Sequence, residues 1–222
     1  QLNNHPAIAF FIGVCTDADN MCLITQYYGR GSAYDLLVKG ARVVAWKRVV
    51  QIAKDAASGI LHLHKEGFLH CDIAARNVLV SDDYRGRVSD FGMSRVKKAV
   101  ASAAAKKPEG FDGPVRWMAP ELLREGDCTY TAATDAFSFG VTLYEFVARE
   151  RPWAGLSKEE VKERVLAGER LPIPAGCTEV FAALMRDCWQ EEAAARPSFA
   201  CIWRRLHEYH SRICAIDAGD VD

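Results

Sequence analysis

Asp72, Asn77 and Asp90 are the side chains whose types and spacing point to chemistry. The first two fall five positions apart in FLHCDIAARNVLV, residues 68–80, and Asp90 follows a second β-prone run, GRVS, at 86–89. The turn-rich SDDYR between NVLV and GRVS predicts a small antiparallel hairpin. Asn77 enters its first strand and Asp90 leaves its second, so pairing brings both side chains to the open end. An amide oxygen beside a carboxylate is a pair of hard oxygen ligands. Such ligands suit Mg²⁺, which takes a few protein oxygens and completes its octahedron with water and phosphate. Asp72 then supplies a carboxylate that accepts the proton of an attacking hydroxyl. A charge-neutralising metal and a proton acceptor are what phosphoryl transfer requires.

These residues need elements to hold them. Residues 7 to 28 contain two β-prone runs, AIAFFIGV and MCLITQYY, separated by TDADN, which predicts a strand pair. GRGS at 29–32 breaks that pattern. From Trp46 to His64 apolar residues recur with helical period, and Gly67 ends the run. Beyond about residue 120 the pattern is helical. TAATDAFSFGVTLYEFVARE, 131–150, is apolar on nearly every face behind a cap-like Thr131, which places it at the centre of the domain. Ser157 and Glu160 form a capping-box pattern, and further helices fit TEVFAALMRDCWQ and SFACIWRRLHEYHSRI. The fold class that follows is α+β. A β portion over residues 1–30 precedes a helical portion over 31–213, and a tail over 214–222 is expected to be disordered.

Composition narrows the function. Among 222 residues, 28 Lys and Arg balance 29 Asp and Glu for a formal net charge of −1, so nothing global favours nucleic acid. The eight cysteines form no CxxC pair and have no His at zinc-finger spacing. Reduced thiols are the expectation. No apolar run spans a bilayer, and the abrupt start, without an initiating Met, is expected of a fragment.

The ordered motifs HCD (70–72), Asn77, DFG (90–92), APE (119–121), DAFSFG (from Asp135) and Arg196–Pro197 resemble those of a protein kinase catalytic domain over about residues 2 to 212. That resemblance implies a two-lobe kinase-like fold, here with a truncated β lobe followed by a helical large lobe. It implies ATP and Mg²⁺ as cofactors, Asp72 as catalytic base, and Asn77 and Asp90 as metal ligands. His70, Phe91 and Gly92 complete the family motifs. Glu121 and Arg196 would form a buried ion pair, and Asp135 would brace the catalytic-loop backbone. The same resemblance makes Thr25 the gatekeeper and sets the backbone of Gln26 and Tyr28 at the adenine edge, with Asp35 near the ribose and Leu79 under the base. AAR before Asn77, and the Pro and Trp117 of GPVRWMAPE, are similar to tyrosine kinases, so the implied partner is a protein substrate presenting tyrosine. Arg76 would assist at its hydroxyl. The implied location is cytoplasmic, or the cytoplasmic side of a membrane for a receptor parent.

The chain departs from the family pattern in two ways. It contains no GxGxxG loop and no VAIK-type lysine, so little or no activity is expected from these residues alone. That keeps a pseudokinase-like interaction module open as an alternative, with a serine/threonine kinase as a third reading. Cys71 stands where kinases switched by activation-loop phosphorylation carry Arg, and Ser102 is the only hydroxyl residue between Arg95 and Pro114. The parent kinase is therefore not expected to be switched by phosphorylation within this loop. Cys71 is expected to be inert filling, Lys97, Lys98, Lys106 and Lys107 a solvated cluster, Trp117, Trp153 and Trp189 packing residues, and His62 and His64 cap or surface residues.

Overall fold

The computed structural model describes residues 5–17, 21–40, 43–90, 95–96, 113–125 and 129–219. Phe91, Gly92, Lys97, Lys98, Ser102, Lys106 and Lys107 lie outside them. β1 (Phe11–Cys15) and β2 (Cys22–Thr25) pair antiparallel, with Phe11 opposite Thr25 and Cys15 opposite Cys22. A single π-helical turn over Tyr34–Lys39 follows the glycine-rich crossing, and it leads to α1 (Trp46–Lys65). Next come β3 (Phe68–Leu69), β4 (Val78–Val80), β5 (Gly86–Val88) and β6 (Arg95–Val96), where β3 pairs with β6 and β4 with β5. The rest is helical: α2 (Pro120–Leu123), α3 (Ala132–Ala148), α4 (Lys158–Leu166), α5 (Glu179–Cys188) and α6 (Phe199–Gly219).

α3 forms the axis of the large lobe because its sequence leaves almost no polar face. Phe139, Leu143 and Phe146 are fully buried, and α5 packs along it. Thr131 starts the helix by accepting from Thr134 N–H at 3.3 Å while Thr134 Oγ1 accepts from Thr131 N–H at 3.0 Å. This reciprocal cap satisfies donors that a helix start leaves open. Ser157 and Glu160 make the same box on α4. α1 packs its buried stripe against α6 and β5. Gly59 is needed there, since a Cβ would come within 2.5 Å of Ala7 O. The segment at residues 7–9 crosses α1 at that point and joins the edge of β5, with Ala9 N–H donating to Val88 O and Val88 N–H donating to Ala7 O, both at 2.8 Å.

α6 runs to Gly219, so the stretch expected to be disordered from residue 214 is helical over six of its residues, Cys214–Gly219. The helical pattern ends in sequence at Ile213, but Cys214 Sγ still contacts His210 across one turn and the backbone ladder continues. Among the described residues no helix is long and apolar enough to cross a membrane.

Candidate active site

The hairpin does what its sequence requires. Val78 stands opposite Val88 and Val80 opposite Gly86, so the residues before and after this ladder meet at its open end. Ser89 N–H and Oγ–H both donate to Asn77 O, at 2.9 and 3.1 Å, which holds Asp90 beside Asn77. Asp90 is exposed and has φ +59°, a left-handed conformation that Asp tolerates better than most residues. The closed end of the hairpin is anchored separately. Buried Asp55 on α1 accepts from Arg85 Nε at 2.8 Å, Gly86 N–H at 3.1 Å and Gln51 Nε2 at 2.7 Å.

Asp72 sits between β3 and the 3₁₀ turn at Ala75–Asn77. Asn77 Nδ2 donates to the Asp72 carbonyl at 2.7 Å and to Asp72 Oδ2 at 2.8 Å, while Arg76 Nη2 pairs with Asp72 Oδ1. The amide nitrogen of Asn77 is thereby committed. Its Oδ1 is the atom left to face a ligand, and an amide oxygen next to a carboxylate such as Asp90 is the kind of hard-oxygen donor pair that Mg²⁺ selects. Among the described residues no group of three or more His, Cys, Asp or Glu side chains forms a denser metal cluster. His70 is fully buried: Nδ1 accepts from Asp72 N–H at 3.2 Å, so its proton is on Nε2 and is donated to Ser89 O at 3.0 Å. His70 thus joins the 70–77 loop to the strand leading into Asp90.

The loop itself is suspended from α3. Asp135 accepts from His70 N–H and Cys71 N–H, each at 2.9 Å, and from His64 Nε2 at 2.8 Å. Burial alone would raise the pKa of this carboxyl, but the hydrogen bond and charge of His64, with His70 behind it, hold it below the ordinary carboxylate range. Cys71 is buried with φ +67°, a conformation that costs a non-glycine residue about a kilocalorie per mole or more and that Asp135 fixes. His64 is the correction among the histidines. It is neither cap nor surface residue, being 8% exposed and bonded to Asp135. His62 instead stacks on His5, with ring centroids 4.5 Å apart.

On the far side of Asp72, the Arg76 guanidinium lies 4.8 Å from the Trp117 ring centroid. Trp117 Nε1 donates to Glu145 Oε2 at 2.8 Å, and Ala75 N–H donates to the same oxygen at 2.9 Å. Glu145 Oε1 is buried without a hydrogen-bond partner. Burial drives the Glu145 pKa up to about 7, against the opposing pull of Ala75, Trp117 and Arg76. Glu145, Arg76, Trp117, Pro114, Tyr34 and Arg151 line a cavity of about 350 Å³ beside Asp72. Sequence reasoning missed Glu145. Its signal was a carboxylate near the end of a largely apolar helix, which has to find donors once buried.

The residues expected at a nucleotide base are spread over the crossing between the lobes. Thr25 ends β2, and Gln26 N–H donates to Phe10 O at 2.9 Å. Tyr28 is buried, its hydroxyl accepting from Phe10 N–H at 3.0 Å. Leu79 pairs with Ser32, and Asp35 accepts from Ser32 Oγ at 2.6 Å and from Lys39 Nζ at 3.1 Å. The Ser32 and Lys39 contacts lower the Asp35 pKa. Away from this crossing, Arg196 and Glu121 form a fork-on-fork pair at 2.6 and 2.8 Å, with the guanidinium side chain wholly buried.

Comparison with known proteins agrees with this architecture. A sequence model described as protein tyrosine and serine/threonine kinase matches residues 1–206. The chain is 38% identical over 206 residues to serine/threonine-protein kinase CTR1 of Arabidopsis thaliana, covering 89% of this chain and 24% of that protein. It is 33% identical over 207 residues to serine/threonine/tyrosine-protein kinase HT1 of the same plant, covering 92% and 51%. It is 32% identical over 216 residues to tyrosine-protein kinase SRK2 of Spongilla lacustris, covering 97% and 57%. In each case the chain spans less than two thirds of the relative's length. This chain belongs to the protein tyrosine and serine/threonine kinase family.

Proposed function

We propose that this kinase-family chain carries the phosphoryl-transfer centre for moving the γ-phosphoryl group of ATP to a protein hydroxyl, with tyrosine as the preferred acceptor. The observation that carries the reading is the Asp72 carboxylate, held by Arg76 and Asn77 next to the open end of the hairpin. Asn77 Oδ1 and Asp90 would hold Mg²⁺, which when bound neutralises charge on the transferring group. Asp72 orients the acceptor hydroxyl and takes its proton. Arg76, bridging Asp72 and Trp117, stabilises charge developing at that oxygen. Thr25, the backbone of Gln26 and Tyr28, Asp35 and Leu79 would form the wall against the nucleotide.

Tyrosine preference rests on Ala74. Serine/threonine kinases usually carry Lys at that position, two residues after the catalytic Asp, whereas Ala74 is fully buried and offers no cation. Arg76 and the cavity against Trp117 stand in its place. A serine/threonine reading is favoured by relatives such as the serine/threonine-protein kinase CTR1. Phosphate transfer by the full natural gene product to a Glu/Tyr polymer and to a Ser/Thr substrate decides between them. At least tenfold faster transfer to the polymer is expected, and the reverse preference would assign the serine/threonine class.

A further inference from the structure

Tyr84, in the turn between β4 and β5, carries φ +62°, a left-handed conformation strained for a bulky side chain. Its ring lies between two cations. The guanidinium carbons of Arg30 and Arg48 are each 3.8 Å from the ring centroid. Two planar groups cannot both occupy one face at that distance, so they cover opposite faces. The three residues come from three elements. Arg30 belongs to the crossing between the lobes, Tyr84 to the hairpin turn and Arg48 to the first turn of α1.

The surrounding contacts make the crossing rest on the turn. Arg30 Nε donates to Asp82 O at 3.0 Å, and a Cβ on Gly29 would fall 2.7 Å from Asp82 Oδ1. Arg30 N–H donates to Val80 O at 3.2 Å, and Val80 N–H donates to Gly31 O at 2.8 Å. Leu79 and the 26–32 segment are thus spaced by the same few bonds. A guanidinium stacked on an aromatic face is attracted by the ring quadrupole, and its planar body packs without needing a hydrogen-bond partner.

We propose that the Arg30–Tyr84–Arg48 stack is a positioning device that fixes the interlobe crossing against the large lobe and thereby sets where the 26–32 segment presents its backbone to the nucleotide. The inference rests on the nucleotide-site reading of Gln26, Tyr28 and Leu79, and Tyr84 itself touches no reactant. The stack absorbs the backbone strain at position 84 and converts it into a defined crossing.

The test uses Tyr84→Asn, since Asn accepts the left-handed backbone and removes only the ring, with Tyr84→Phe as the conservative control in the full natural gene product. Tyr84→Asn should raise the KM for ATP about fivefold with a smaller change in kcat, the scale of two lost cation–π contacts. The amides of Arg30 and Val80 should exchange with solvent faster by a similar factor. Tyr84→Phe should restore both. Values for Tyr84→Asn within about twofold of the natural protein would overturn the proposal, as would a raised KM with unchanged exchange. If Tyr84→Asn fails to fold, Arg30→Gln is read by the same two criteria. Absence of transfer even in the natural protein would sink the kinase reading, while the exchange measurement would still decide the stack.

Discussion

Two buried carboxylates on α3 meet opposite fates. Asp135 lies in the first turn, where the helix dipole favours an anion, and two backbone amides and His64 surround it. Glu145 lies in the last turn, where the dipole opposes an anion, and only one of its oxygens is engaged. Their pKa values move apart accordingly, Asp135 down and Glu145 up to about 7. Burial is common to both. What differs is the number of donors and the end of the helix, and the two carboxylates hold different parts of the candidate site. Asp135 suspends His70 and Cys71, whereas Glu145 ties Ala75 to Trp117.

The largest expected effect comes from Asp135→Ala. It leaves the His70 and Cys71 amides buried without an acceptor and removes the force holding Cys71 left-handed, so stability should fall by roughly 3–5 kcal/mol in denaturant unfolding. A loss under about 1 kcal/mol would mean that the loop keeps its shape without α3, and the contrast between the two carboxylates would collapse.

Glu145→Gln should act with smaller size and through pH. Folded, Glu145 keeps its proton to about pH 7, while in the unfolded chain it releases it near 4.5. The native state therefore binds more protons between those values, and its stability falls as pH rises through that window, by on the order of 3 kcal/mol at most. Gln cannot ionise. Thermal midpoints should show the variant close to the natural protein near pH 5 and more stable than it near pH 8. Parallel pH profiles for the two proteins would show that Glu145 does not titrate in this range.

Much of the fold was legible because local rules agreed with the tertiary outcome. The β4–β5 pairing, the boundaries of α1, the Ser157–Glu160 capping box and the cap at Thr131 follow from periodicity and cap chemistry over a few residues, whereas the Thr134 half of the first box does not. The meeting of Asn77 and Asp90 was legible for the same reason, since a two-stranded pairing determines it. What stayed hidden depends on elements far apart in sequence. His64 reads as a helix-end residue until α3 brings Asp135 to it, and Glu145 reads as a blemish in an apolar helix until Ala75 and Trp117 arrive. The Arg30–Tyr84–Arg48 stack joins three segments, none of which signals it alone. The length of α6 was missed for a different reason, because a backbone ladder can outlast the side-chain pattern that starts it.

The central claim is that Asp72 is the group that takes the acceptor's proton. Asp72→Asn keeps the shape and the contact with Asn77 but removes the basic oxygen. In the full natural gene product it should lower kcat for phosphate transfer by about 100-fold or more while changing the KM for ATP less than about threefold. A variant retaining more than about a tenth of the natural kcat would contradict the assignment.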